Sequence, residues 1–359
     1  MDAKTDFCNI PPSIESLIDR KLHLVTNHPI EIMKRCVFDY FKQLPDYDFK
    51  YLDNISPFVS IEDNFDKLLI PSNHAARSKS DTYYVNETTV LRTHTSAHQN
   101  QLLSQGCENF LIVGDVYRKD TIDKSHHAVF SQCEGIGKVP SGVDAESELK
   151  RILNGLVEYL FPNCYYRINK DYFPFTEPSF EYEVEFNGKW MEILGCGIMH
   201  QTIVKNNHLD GEYWAWGIGL DRLVMIKSQI PDIRYLWSTH PKFLNQYANG
   251  MAIFKPFSEL PFMYKDISFW INNDQIDEKW IGENDFYELA REVIGEWIEE
   301  IKLMDEFVHP KKEITSRMYR IVYSSIDPSL TDPAKFTEKC NALQDQFRLR
   351  ILGLNVELR

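Results

Sequence analysis

Residues 114–135 read "GDVYRKDTIDKSHHAVFSQCEG". The stretch from Asn109 to Asp120 and the one from Ala128 to Gly137 read as two antiparallel strands. The adjacent His126 and His127 then fall in the loop between them. Arg118 sits at the end of one strand, and its partner carries a Gln-x-Glu, Gln132 and Glu134. A cation, two imidazoles and a polar pair are thus gathered into one hairpin.

The chain on either side completes an α+β pattern. Residues 144–160 form one amphipathic helix, with Leu149, Ile152, Leu156 and Leu160 on a shared face. "SFEYEVEFNGKWMEILGCG" (179–197) is a hairpin. Glu181, Glu183 and Glu185 alternate there with Tyr182, Val184 and Phe186, and Asn187-Gly188 supplies the turn. "YWAWGIGLDRLVMIKSQI" (213–230) is a short strand, a glycine break and a helix. Upstream, Asn27-His28-Pro29 reads as a helix start with Asn27 as cap, followed by Ile30, Met33, Val37 and Phe41 at helical spacing. Thr82 to Val85 reads as a strand.

After about residue 240 the character changes. "KDISFWI" is a strand, 285–299 a helix, "IKLMDEFV" and "MYRIVYS" are strands, Asp332-Pro333 opens a second helix, and the tail offers a last short strand. This β-α-β-β-α-β order is the ferredoxin-like pattern. The expected organisation is an N-terminal extension with the first helix (1–45), a sheet domain (46–240), a linker (241–258) and a ferredoxin-like domain (259–359).

Composition sets outer bounds. With 43% hydrophobic and 26% charged residues, the 359-residue chain can bury a sizeable core. No apolar run is long enough to cross a membrane as a helix. Seven dispersed cysteines, none in a C-x-x-C pair, read as free thiols. A net charge of −14 argues against a general nucleic-acid coat but leaves room for a local basic face. The N-terminus has no apolar signal core, and its early acids, Asp2, Asp6 and Glu15, are unlike a transit peptide, so the expectation is either a cytosolic protein or a presequence absent from this chain.

Two arginines on a strand-rich frame suit a polyphosphate. Arg118 ends one strand and Arg222 lies just inside the helix of "GIGLDRL". Guanidinium groups make bidentate, permanently charged contacts to phosphate oxygens. Gly217 and Gly219 let a ligand approach the backbone. Neither a G-x-x-x-x-G-K-[ST] loop nor a G-x-G-x-x-G opening a βαβ unit is present, so a nucleotide site here is of another kind.

These segments resemble the class II aminoacyl-tRNA synthetases. Residues 114–135 are similar to motif 2 of that class and "GIGLDRL" to motif 3. "RTHTSAHQ" (92–99), "YFPFTEPSFE" (172–181) and "WMEILGCGIM" (190–199) resemble the signature segments of the phenylalanyl-tRNA synthetases. The C-terminal part, with "KDISFW", "ENDFYELAREV" and "MDEFVHPK", resembles the anticodon-binding domain of the single-chain organellar form. The likeness runs from about Leu22 to Leu358.

The resemblance implies a fold, a six- or seven-stranded antiparallel catalytic sheet, and a reaction. The enzyme would form phenylalanyl-adenylate from phenylalanine and ATP. It would then acylate the 3′-terminal adenosine of tRNA-Phe, at the 2′-hydroxyl. It also implies site residues. Arg118 and Arg222 would be catalytic, and Arg118, Ser125, His126, His127, Phe130, Glu192 and Arg222 would bind ATP, with Glu192 as the carboxylate for Mg2+. His94, Ser96, Ala97, His98, Gln99, Gln132, Cys133, Glu134, Phe173, Phe175, Ala215 and Trp216 would form the phenylalanine site. Gln132 and Glu134 would take the α-ammonium, and Phe173 and Phe175 the ring. Lys311, Lys312, Arg317, Arg320 and Arg348, with Arg350, would meet tRNA. The family implies a mitochondrial or plastid enzyme that works as a monomer, and a large domain swing, since one chain must reach both ends of the tRNA.

Some positions depart from the family's pattern. Trp216 stands where a phenylalanine is usual, beside the pocket, Asp221 where glutamate is common, Ser131 for a histidine and Cys133 for an aliphatic residue. No segment is left for an editing domain. Taken singly, Arg118 and Arg222 read better as structural ion-pair partners, Phe173 and Phe175 as core, and Glu192 as a solvated carboxylate. Only their joint occurrence in five ordered segments carries the functional reading. The rival readings are a class II enzyme with another substrate and a tRNA-binding protein without activity. Ala215 with Phe173 and Phe175 argues against the first. The intact arginine, glutamine and glutamate set argues against the second.

Overall fold

The computed structural model describes residues 7–186, 188–256, 260–272, 282–312, 314–327 and 329–359. Asn187 of the expected turn and residues 257–259 at the expected linker boundary lie outside the described residues; Gly188 follows with φ +73°.

A seven-stranded sheet organises the larger part. Its strands are Lys50–Leu52 (β1), Phe110–Tyr117 (β2), Val129–Lys138 (β3), Tyr166–Phe173 (β4), Thr176–Phe186 (β5), Lys189–Met199 (β6) and Tyr213–Gly219 (β7). The spatial order is β1-β2-β3-β7-β6-β5-β4. All neighbours are antiparallel except β1 and β2, so the expected antiparallel sheet carries one parallel pair at its edge.

Helices cover one face. Pro29–Phe41 (α1) buries Ile30, Met33, Val37 and Phe41, and Ala145–Leu160 (α2) buries Leu149, Ile152, Leu156 and Leu160 in the same core. Asp144 caps α2 through the Ser147 amide at 2.9 Å. At α1 the cap is His28, not Asn27. Pro29 forces the preceding residue to extended backbone, so His28 takes the cap position and its Nδ1 accepts the Ile30 amide, while Asn27 turns to φ +63°. Thr82–Val85 makes only an isolated bridge, Tyr84 to Val90, because the short strand Thr89–Leu91 pairs mainly with Phe58–Ser60.

The helix-covered face is packed through glycines. A Cβ at Gly135 would lie 2.5 Å from the Trp216 indole, and one at Gly137 2.1 Å from Trp214. Trp216 stacks on Phe41 at 5.1 Å between centroids. Gly135→Ala must displace a buried ring, so it is expected to destabilise the fold by about 1–3 kcal/mol. Combining it with Trp216→Phe should cost less than the two changes summed, since they share one space. Urea melts of the four proteins measure this, and strict additivity would remove the packing explanation.

The C-terminal part is a second sheet of Met263–Asn272 (β8), Ile298–Val308 (β9), Ile314–Tyr323 (β10) and Glu357–Leu358 (β11), in the order β9-β10-β8-β11. Helices Glu283–Val293 (α4) and Pro333–Arg350 (α5) bury Phe286, Phe336, Cys340 and Phe347 against one face; α3 is Leu220–Ser228 of the larger part. The expected element order is present. The first helix stops at Val293 rather than reaching 299, because Gly295 adopts φ +62° and turns Gly295–Trp297 into a 3-10 turn.

Candidate active site

Strand alternation builds the site. On β3, Phe130, Gln132 and Glu134 point away from the helix-covered face, and Cys133 and Gly135 point into it. Across on β7, Gly219 and Gly217 stand opposite Gln132 and Glu134. A Cβ at Gly217 would come within 3.2 Å of Gln132 Nε2, so glycine there keeps room above the polar pair. The result is a cleft of about 670 Å³ on the open side of the sheet.

One end of the cleft is apolar. Phe173 and Phe175 stack 5.9 Å apart, and Ala215 also lines this end. Gly195 is required beneath them, since a Cβ there would lie 2.7 Å from Phe173.

The middle is polar and nearly dry. Glu134 is 3% exposed and accepts from Ser96 Oγ at 2.5 Å and Thr95 Oγ1 at 3.2 Å. Burial pushes its pKa up to about 7, against the pull of those two hydroxyls. Gln132 Oε1 accepts the Thr95 amide at 3.1 Å. Gln99 Nε2 and both ring nitrogens of His94 are buried with no hydrogen-bond partner among the described residues. Burial, with Arg118 close by, lowers His94 to about 3, so its imidazole is neutral.

The other end is cationic. Arg118 Nε donates to the Thr93 carbonyl at 2.6 Å, and its guanidinium lies 5.4 Å from the centre of the Phe130 ring. Burial lowers the arginine pKa, with Asp120 and Glu192 opposing. Arg222 Nη1 donates to the Glu192 carbonyl at 3.0 Å and lies 3.7 Å from its carboxylate. His126 pairs with Asp123 at 2.7 Å, which raises the imidazole. His127 stacks on Trp237 at 4.8 Å, and burial lowers it to about 4. Ser125, His126 and His127 all border this end.

Three expected site residues do not line the cleft. Ala97 packs against Val59, Tyr84 and Val90. His98 faces Arg92, 2.9 Å from Nη1. Cys133 lies in the main core because it is the odd residue between two cleft-facing neighbours on β3. Trp216 borders the cleft, but its ring packs on the far face against Phe41. The larger ring is therefore accommodated by Gly135, not by the pocket. Conversely, Lys119, Asp120, Tyr172 and Asp221 border the cleft although the motif pattern gives them no role there. Asp221 accepts the Ser131 amide at 2.7 Å, and burial pushes it to about 8.

The expected tRNA residues are spread over the C-terminal part. Lys311 and Lys312 are exposed on the turn between β9 and β10, and Arg350 pairs with Glu292 at the end of α5, two residues beyond Arg348. Arg317 and Arg320, three apart on an unbroken strand, point to opposite faces of the sheet. Arg320 pairs with Asp266 through two 2.8 Å bonds, and Arg317 with Glu306 at 2.7 Å.

Comparison with known proteins shows the family of the chain. Residues 15–247 match the family described as tRNA synthetases class II core domain (F). The chain is 44% identical to the phenylalanine–tRNA ligase, chloroplastic/mitochondrial, of Arabidopsis thaliana, over 98% of this chain and 82% of that protein. It is 39% identical to the mitochondrial phenylalanine–tRNA ligase of Mus musculus, over 91% and 81% of the two chains. It is 34% identical to that of Saccharomyces cerevisiae, over 98% and 92%.

Proposed function

The chain belongs to the class II aminoacyl-tRNA synthetases, among the organellar phenylalanine–tRNA ligases, and on that premise we propose how its cleft performs the reaction. It is an ATP-dependent ligase of an organelle that joins phenylalanine to tRNA-Phe. The observation that supports this assignment of roles is the order of chemistry along one cleft: an aromatic end, a buried carboxylate, and an arginine pair.

The ring of phenylalanine enters between Phe173, Phe175 and Ala215. Its ammonium meets Glu134 and Gln132, with Ser96, Gln99 and His94 beside them. Its carboxylate then lies toward Arg118. A carboxylate oxygen attacks the α-phosphorus of ATP, the bond to the bridging oxygen breaks, and pyrophosphate leaves. Arg118 neutralises charge on the α-phosphate, Phe130 and Arg222 enclose the adenine, and His126, His127 and Ser125 hold the phosphates. In the second step the 2′-hydroxyl of the terminal adenosine attacks the acyl carbon and AMP leaves. Catalysis by positioning and fixed charge needs no protein general base.

Glu192 fits a Mg2+ only as one ligand. Its carboxylate is half exposed, and no group of three metal-ligating side chains gathers among the described residues. The other ligands would be ATP phosphate oxygens and water, the usual manner for this ion. When bound, it would neutralise phosphate charge.

The protein acts as a monomer, with the C-terminal part reading the anticodon arm through Arg320, Lys311, Lys312, Arg317 and Arg348. Reversing the open-face cation in Arg320→Glu is expected to weaken tRNA binding and to flatten the slope of log K against log salt by about one. An unchanged slope would remove Arg320 from the interface. The function itself is tested by amino-acid-dependent ATP–pyrophosphate exchange. Phenylalanine alone should support it, and folded protein that exchanges with no amino acid would overturn the assignment.

A further inference from the structure

The loop between β2 and β3 has two sides. One borders the cleft through Ser125, His126 and His127. The other is held by the C-terminal domain. Ile122 is buried in the C-terminal core rather than in the catalytic one, and its carbonyl accepts the Ile301 amide at 2.9 Å. Arg291 of α4 donates to the carbonyls of Asp120 and Thr121, the second at 3.1 Å. Lys119 lies 3.3 Å from Asp285, and Lys124 lies 2.7 Å from Glu299. The catalytic side holds the loop at two points: the Lys119 amide donates to the Asp81 carbonyl, and the Lys124 carbonyl accepts from the Ile233 amide. Between those two points, the carbonyls of 120, 121 and 122 all receive donors from the C-terminal domain.

The next residue passes this anchoring to the cleft. Asp123 Oδ1 accepts the amides of Ser125 and His126 at 2.6 and 2.9 Å, and Oδ2 lies 2.7 Å from His126 Nδ1. Asp123 is flanked by Ile122, whose carbonyl is held by the C-terminal domain, and by Lys124, whose carbonyl is held by Ile233.

We propose that the C-terminal domain is a positioning element of the ATP site: through Ile122 and Arg291 it sets Asp123, and Asp123 sets Ser125 and His126 against the phosphates. The inference rests on the reading of the cleft as the ATP site. ATP binding and docking of the C-terminal domain then favour each other. By linkage, a ligand that lifts the domain weakens ATP binding by the same factor. In this scheme adenylation belongs to the docked form, and displacing the domain to reach the anticodon loosens the phosphate grip after the adenylate has formed.

The test is pyrophosphate exchange by the full chain carrying Arg291→Ala. KM for ATP should rise at least tenfold, while KM for phenylalanine stays within twofold. Arg291→Lys, which keeps a donor for the two carbonyls, should recover part of the loss. In the unmodified protein, ATP should slow hydrogen exchange at the Ile301 amide and phenylalanine should not. Unchanged KM for ATP, a parallel rise in both KM values, or Ile301 exchange indifferent to ATP would each overturn the coupling. The hydrogen-exchange arm decides the matter if the alanine variant does not fold. Absence of pyrophosphate exchange in the unmodified chain would instead bring down the ATP reading beneath it.

Discussion

Arg118→Ala is expected to cut phenylalanine-dependent pyrophosphate exchange by a factor on the order of 10²–10³, and the loss should fall on kcat more than on either KM. The reason is the timing of the charge. Further negative charge builds on the already anionic α-phosphate as the carboxylate attacks, so a cation placed there acts on the transition state more than on bound substrate. The arginine is fixed in advance of that moment. Its Nε is held on the Thr93 carbonyl, and Phe130 supports the guanidinium face. Arg118→Lys should rescue little, because a point charge on a flexible stem lacks the planar fork. Phenylalanine should still raise the melting temperature of the alanine variant, since Glu134, Ser96 and Gln132 keep their own bonds. Exchange within tenfold of the unmodified enzyme would withdraw Arg118 from the α-phosphate.

The parts of the site legible in sequence are those set by strand period and motif order. Phe130, Gln132 and Glu134 alternate along one strand, and Gly217 and Gly219 clear the space opposite, so the register follows from a few residues. What stayed hidden depends on which face a residue takes. Cys133, Ala97 and His98 sit inside signature segments yet turn away from the cleft, since neighbours in sequence do not share a face. Trp216 reads as a pocket residue until Gly135 is seen beneath its ring, two strands brought together from 81 positions apart. The contacts of Ile122 and Arg291 had no sequence signal at all. An isoleucine in a polar loop and an arginine on an amphipathic helix are ordinary until a second domain is packed against them.

Glu134 should impose a pH limit on phenylalanine use. In the empty site, burial holds its pKa at about 7, so below that pH the carboxyl is mostly neutral. A neutral carboxyl cannot pair with an ammonium, and kcat/KM for phenylalanine should fall tenfold for each pH unit below about 7, with a plateau above. Stability runs the other way. A carboxyl raised in the folded state keeps its proton while the unfolded chain has lost it, so its stabilisation is full below the ordinary value of 4.5. It is lost as pH rises through 7, a difference of about 3 kcal/mol for a fully buried group. Asp221, raised to about 8, contributes in the same direction. Phenylalanine should therefore stabilise the protein more at pH 8 than at pH 6, because its ammonium relieves the buried charge. Glu134→Gln keeps the shape and removes the titration. At pH 8 it should lose about 2–5 kcal/mol of phenylalanine binding, and its profile should be flat through pH 7. A glutamine variant that kept the acid limb would place the titrating group elsewhere, with Asp221 the first alternative to examine.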